Sequence, residues 1–173
     1  MTELGQKMIN EIIDRATNQG SNYHSWSRSI LHGLRKHFTF ITDDIVRSAV
    51  LLAGGGDRAT LGSCGVFSGG LMALSTRFAP DFDEPTEKDM ESFNQKRLEL
   101  NAFRDWFLEE FGSVVCEEVQ KHQFGGRSFN LMDNNELLAF RDFPDRVKCR
   151  EVIAKAALKL AEILVQEENS SSE

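Results

Sequence analysis

The chain is poor in the residues that interrupt helices and in those that build strands. Only three of its 173 residues are proline, and no long β-branched run is present. Both scarcities favour helices, because proline removes a helix hydrogen bond and strands prefer branched side chains. No stretch approaches the ~18 apolar residues that span a bilayer, so membrane insertion is not expected. Met1 to Gly20 lacks the apolar segment and cleavage pattern of a secretory signal, which makes a cytoplasmic location the expectation. Positive charge is also short, with 20 Lys and Arg against 27 Asp and Glu and a net charge of −7. A nucleic-acid partner is therefore not expected, since phosphate binding needs clustered cations. Solubility is the ordinary explanation of the acidity.

Motifs are missing as well. The three cysteines form no C-x-x-C pair, which argues against a thioredoxin-type dithiol and a common zinc knuckle. No C-x-x-C-H is present, so haem c is not expected. Gly54-Gly55-Gly56-Asp57 and Gly62 lack the Walker lysine and the order of a dinucleotide fingerprint. His24, His32, His37 and His122 make no H-E-x-x-H motif. His24 and His122 are the candidates for an extra metal ligand, with a solvated histidine as the plain alternative.

What is present is an amphipathic helical pattern in a chain that is 40% hydrophobic and rich in phenylalanine, with 13 residues. At this length a single domain buries about 70% of its unfolded surface without staples. Leu4, Met8, Ile12 and Ala16 predict a first helix between Thr2 and Gly20. Tyr23, Trp26, Ile30, Leu34 and Phe38 predict a second, capped at Ser21 or Asn22. Thr42 caps a third, with Asp43 and Asp44 in its first turn and the glycine run 54–56 as its stop. A fourth carries Cys64, Phe67, Leu71 and Leu74. A long fifth runs from Thr86 to Gly112 with Met90, Phe93, Leu100, Phe103 and Phe107 inward. Ser113 restarts a short helix through Val119, and the glycine-bearing stretch 124–135 reads as a loop. Beyond an optional short helix from Glu136 to Phe140, Pro144 and Asp145 open the last helix, with Cys149, Ile153, Ala156, Leu160 and Ile163 on one face. Residues 167–173 are an acidic, serine-rich tail expected to fray. The reading is one all-α domain over residues 1–173, a bundle of six or seven helices.

Cys64, Cys116 and Cys149 each fall near a helix start and on or beside an apolar face. Partial positive charge at a helix start stabilises a thiolate, the form that binds metals and attacks disulfides. The three could therefore meet at one interior site. Core filling is the competing explanation, because free cysteine is among the most buried residue types. Gly65 and Gly69, four apart, permit close approach of a cofactor or equally of another helix.

The segments Leu52-Ala53-Gly54-Gly55-Gly56 and Cys64-Gly65-Val66-Phe67-Ser68-Gly69 resemble the C_GCAxxG_C_C family of redox-active proteins. Cys64, Gly65 and Gly69 match its central motif, while Val66 stands where alanine is usual. Phe111 to Cys116 resembles the context of its third cysteine, and Cys149 that of its fourth. The family's first cysteine sits in a segment like Y-N-C-A-x-x-V-L. Here that position falls on Ser25 or Trp26, so a four-cysteine cluster cannot form within this chain. On a helix Ser25 is expected to point away from the apolar face. The resemblance implies a three-thiolate site, with an iron–sulfur cluster or a single metal ion as cofactor and Gly55, Gly56, Gly65 and Gly69 around it. It further implies electron transfer to an unknown redox partner, while a defined enzymatic reaction does not follow from it. The alternative is a non-enzymatic helical protein that has lost the cofactor and holds a partner or small ligand near the glycine-rich loop. Thiol-based peroxide or disulfide chemistry ranks third, since no attacking and resolving pair is evident. A homodimer is compatible with a small acidic bundle.

Overall fold

The computed structural model describes residues 3–23, 25–80 and 83–170. Among these residues eight α-helices and two 3₁₀ turns form, and no strand does. The all-α expectation holds. The count exceeds seven because the optional segment near Glu136 is a full helix, its start fixed by the Asp133 carboxylate accepting from the N–H groups of Asn135 and Glu136.

Helix α1 spans Glu3–Tyr23 and buries Ile9, Ile12 and Ala16. It runs through Gly20, because a single glycine costs only about 1 kcal/mol in a helix and does not by itself end one. Thr2, its expected cap, lies outside the described residues. Helix α2 (Trp26–Leu34) therefore starts later than the sequence suggested, with Ser25 at its N-cap. Its Ile30, Leu31 and Leu34 are fully buried, and Phe38 is buried in the turn that follows. Helix α3 (Asp43–Ser48) begins after Thr42 as expected but stops well short of the glycine run, giving way to a 3₁₀ turn at Val50–Leu52.

Helix α4 (Gly65–Phe78) packs Phe67, Ala73 and Leu74 inward, while Leu71, expected inside, is 37% exposed. Helix α5 (Glu87–Phe111) carries the expected start and stop: a reciprocal Thr86–Asp89 capping box, and Gly112 left-handed at φ +74°. Only its second half enters the core. Phe103, Phe107 and Phe111 are buried, whereas Met90 and Leu98 are exposed. Helix α6 (Cys116–Gln123), helix α7 (Asn134–Asp142), a 3₁₀ turn at Pro144–Val147 and helix α8 (Lys148–Ser170) complete the chain. Residues 171–173 of the expected frayed tail lie outside the described residues.

The main core is made where α2 and α8 pack on α1, and α4 on α2. Rings from α4 and α5 fill its other side, with Phe67 and Phe107 centroids 5.1 Å apart and Phe107 and Phe111 4.6 Å apart. Each such ring contributes roughly 1.5–3 kcal/mol by burial. Gly69 is required by this packing. A Cβ there would meet the Ser27 carbonyl oxygen and Ile30 Cγ2, both at 2.5 Å. A second, smaller cluster forms from Phe124, Phe129 and Leu131 with Phe140 and Phe143 of the α7 region. The Arg127 guanidinium lies 4.3 Å from the Phe129 ring centre and closes this cluster over. No helix among the described residues is long and apolar enough to cross a membrane.

Candidate functional site

Between the two clusters lies a cavity of about 560 Å³, and Cys64, Cys116 and Cys149 all line it. Cys64 belongs to the main core and Cys149 packs against the smaller cluster, so the cavity follows their seam. All three are free thiols; Cys64 and Cys116 are buried, and Cys149 is half-buried.

Local structure explains how each arrives there. Cys64 is the N-cap of α4, one residue before the expected first turn, and Cys116 is the first residue of α6. The two segments are tied by an antiparallel bridge between Ser63 and Val115. In it the Cys64 N–H donates to the Val114 carbonyl at 2.6 Å and the Cys116 N–H to the Gly62 carbonyl at 2.9 Å. Residues 64 and 116 thus sit on one face of a two-residue ribbon, as diagonal neighbours. Cys149 is the second residue of α8. The cavity is lined by the starts of three separate helices.

Burial decides the charge state. It pushes the Cys64 thiol up to about 12, and the nearby Cys116 adds to the rise. Backbone N–H groups of Val66 and Phe67, at the open start of α4, pull it partly back. Cys116 is raised by burial and lowered by its contact with Gln120. Cys149 is raised by burial and then by the other two sulfurs, with the Arg146 guanidinium opposing. The protein alone therefore keeps three neutral thiols. They become thiolates only when a positive group arrives to compensate them.

Two polar residues that sequence reasoning did not select complete the lining. Ser25, expected to point away, is buried and lines the same cavity, because its N-cap position turns it off the helix face. Its hydroxyl donates to the Val50 carbonyl at 3.1 Å. Gln120 is 3% exposed; its Nε2 donates to Cys116 Sγ at 3.6 Å, and its Oε1 accepts from the Phe129 N–H at 3.0 Å. The only sequence signal for it is the spacing of four from Cys116 on a short helix.

The other candidates scatter. Gly65 lines the cavity; Gly69 faces α2, where helix packing accounts for it. Gly55 is buried under the Thr60 backbone, where a Cβ would stand 2.7 Å from the Thr60 Cα, and its φ of +74° suits glycine. Gly56 is exposed, with open space around its Cα. His122 is exposed on α6 against Gly112 and takes no part in the lining. His24 lies outside the described residues.

A tetrahedral ion holds each sulfur at about 2.3 Å, which draws the ligands together. Among the described residues no group of three or more His, Cys, Asp or Glu is arranged in that way. The thiols instead stand around a volume large enough for a group with bulk of its own. Thiols are the donors that an iron–sulfur cluster takes, and these three share one cavity lining.

Comparison with curated proteins and with solved structures gives no match. Residues 25–163 match the family model described as "Putative redox-active protein (C_GCAxxG_C_C)". The match opens at Ser25 and so includes every residue of the thiol cavity. The chain belongs to the C_GCAxxG_C_C family of redox-active proteins.

Proposed function

We propose that this protein works by electron transfer at a centre held by Cys64, Cys116 and Cys149, with an iron–sulfur cluster as the group they hold. The observation that carries this reading is the convergence of three thiols, from three remote helix starts, on one cavity. Core filling would not require them to share it. An iron–sulfur cluster would supply one-electron chemistry. The chain's own residues supply the thiolates, a low-dielectric floor, and the Gln120 amide beside Cys116, which tunes the sulfur it touches. Ser25 stands on the same cavity as a weaker oxygen donor.

A second reading is favoured by the absence of a metal-ready trio among the described residues and by the raised, neutral thiols. In it the cavity holds a small ligand without metal. Anaerobic purification and reconstitution, followed by iron and acid-labile sulfide analysis and a visible spectrum, separate the two. The cluster reading expects stoichiometric iron and sulfide and a thiolate-to-iron absorption, lost when any one of the three cysteines becomes serine. Background iron after reconstitution, with an unfolding midpoint unmoved by chelator, overturns it and leaves the second.

A further inference from the structure

The wall of the cavity carries an unusual charge for this protein. Four arginines line it, Arg58, Arg141, Arg146 and Arg150, against two aspartates, Asp57 and Asp142. The difference, 4 − 2, is +2 at the cavity in a chain whose net charge is −7. Arg58, Arg141 and Arg150 are exposed and Arg146 is half-buried, whereas Cys64 and Cys116 are buried. The guanidiniums therefore form the mouth and the thiols the floor. None of the four makes an ion pair with a described carboxylate, although Lys148 beside them pairs with Asp145 at 3.0 Å.

Their placement runs against local preference. Arg146 and Arg150 flank the start of α8, the end of a helix that disfavours cations by about 0.3–1 kcal/mol. Arg58 sits at φ +69°, between Asp57 at +42° and Thr60 at +63°, in a left-handed loop that few side-chain-bearing residues adopt. Two departures from local rules thus gather, on one cavity lining, guanidiniums that make no ion pair with a described carboxylate. Such departures collect at functional sites.

We propose that the mouth of the thiol cavity binds an organic anion, its carboxylate or phosphate held by Arg146 and Arg150 with Arg58 on the same lining, and its apolar body laid against Trp26, Leu137 and Phe140. A guanidinium fork matches either oxyanion in bidentate fashion. The apolar side chains of the lining give the body a place that a bare inorganic ion would leave wet. The inference rests on the cavity being the functional site, and does not need the cluster.

Calorimetric titration of the full chain with octanoate, n-octyl phosphate and 1-octanol tests it, since the three share a tail and differ in the head. At least one anion should bind ten or more times tighter than the alcohol, and the tighter anion names the head group. The gap should shrink to within twofold in the Arg146→Gln/Arg150→Gln double variant. Occupancy should slow maleimide labelling of Cys149. Equal affinity for anion and alcohol, a gap that survives the double variant, or labelling unchanged at saturation would each overturn the proposal. The variant with all three cysteines changed to serine should keep the anion preference. That result holds whether or not the cluster reading stands, so the two can fail separately.

Discussion

At the scale of the residue, position 25 is where the proposed centre can be tested by exchanging a single atom. The family match begins there, and the residue is a buried serine that lines the same cavity as three cysteines, its hydroxyl donating to the Val50 carbonyl. Replacing Oγ by Sγ would change the donor and leave the backbone in place. Ser25→Cys should therefore raise the iron and sulfide retained per chain after anaerobic desalting, toward the wild-type maximum or above it, and lengthen the half-life of the visible band under chelator. A retention unchanged or lower would show that position 25 gives no ligand. This residue also marks the limit of what the sequence reveals. Three cysteines and their motif could be read directly, since sulfur chemistry and helix starts are local. Ser25 was misjudged, because a helix drawn from Ser21 or Asn22 places it on the outer face, whereas a helix starting at Trp26 makes it a cap. A shift of a few residues in one boundary turned a side chain from outside to inside.

At the scale of the element, some helix ends were legible from their capping residues and others, such as the Asp133 start of α7, were not. Thr86 and Gly112 marked α5 at its two ends, and Thr42 marked the start of α3; the reciprocal bond from Asp89 emerged only in the structure. The end of α3, the length of α1 and the exposed first half of α5 were not legible. Each depends on neighbours rather than on its own pattern. The left-handed turn through 54–60 was visible as glycine, yet its positive φ at Asp57, Arg58 and Thr60 was not, because those residues seldom adopt it. The α2–α4 crossing gives the sharpest test at this scale. Gly69→Ala pushes a methyl into the Ser27 carbonyl and the Ile30 side chain. It should lower the unfolding free energy by about 1–3 kcal/mol in urea titrations. A change below about 0.5 kcal/mol would mean the helices part without cost and that Gly69 serves something other than packing.

At the scale of the whole molecule, folding takes three thiols out of water and raises all of them. An ordinary thiol titrates near 9.0, and burial pushes the Cys64 thiol up to about 12. Below pH 9 both states hold the proton and the stabilisation is complete. As pH climbs past 9, the unfolded chain releases protons that the folded one keeps, so stability falls. In chelator-treated protein the loss should approach about 1.4 kcal/mol per pH unit for each thiol so held. Urea midpoints at pH 8 and pH 10 measure it, and the variant with all three cysteines changed to alanine should lose that slope. An equal slope in both proteins would mean the thiols titrate alike folded and unfolded.

The bridge between Ser63 and Val115 joins stretches of chain that lie far apart, and Cys149 comes from a third. No short peptide of this protein contains more than one of the three sulfurs, so multidentate capture during synthesis has no starting point. Whatever occupies the pocket therefore meets all three donors together only once the bundle has closed, with four arginines and two aspartates along the lining.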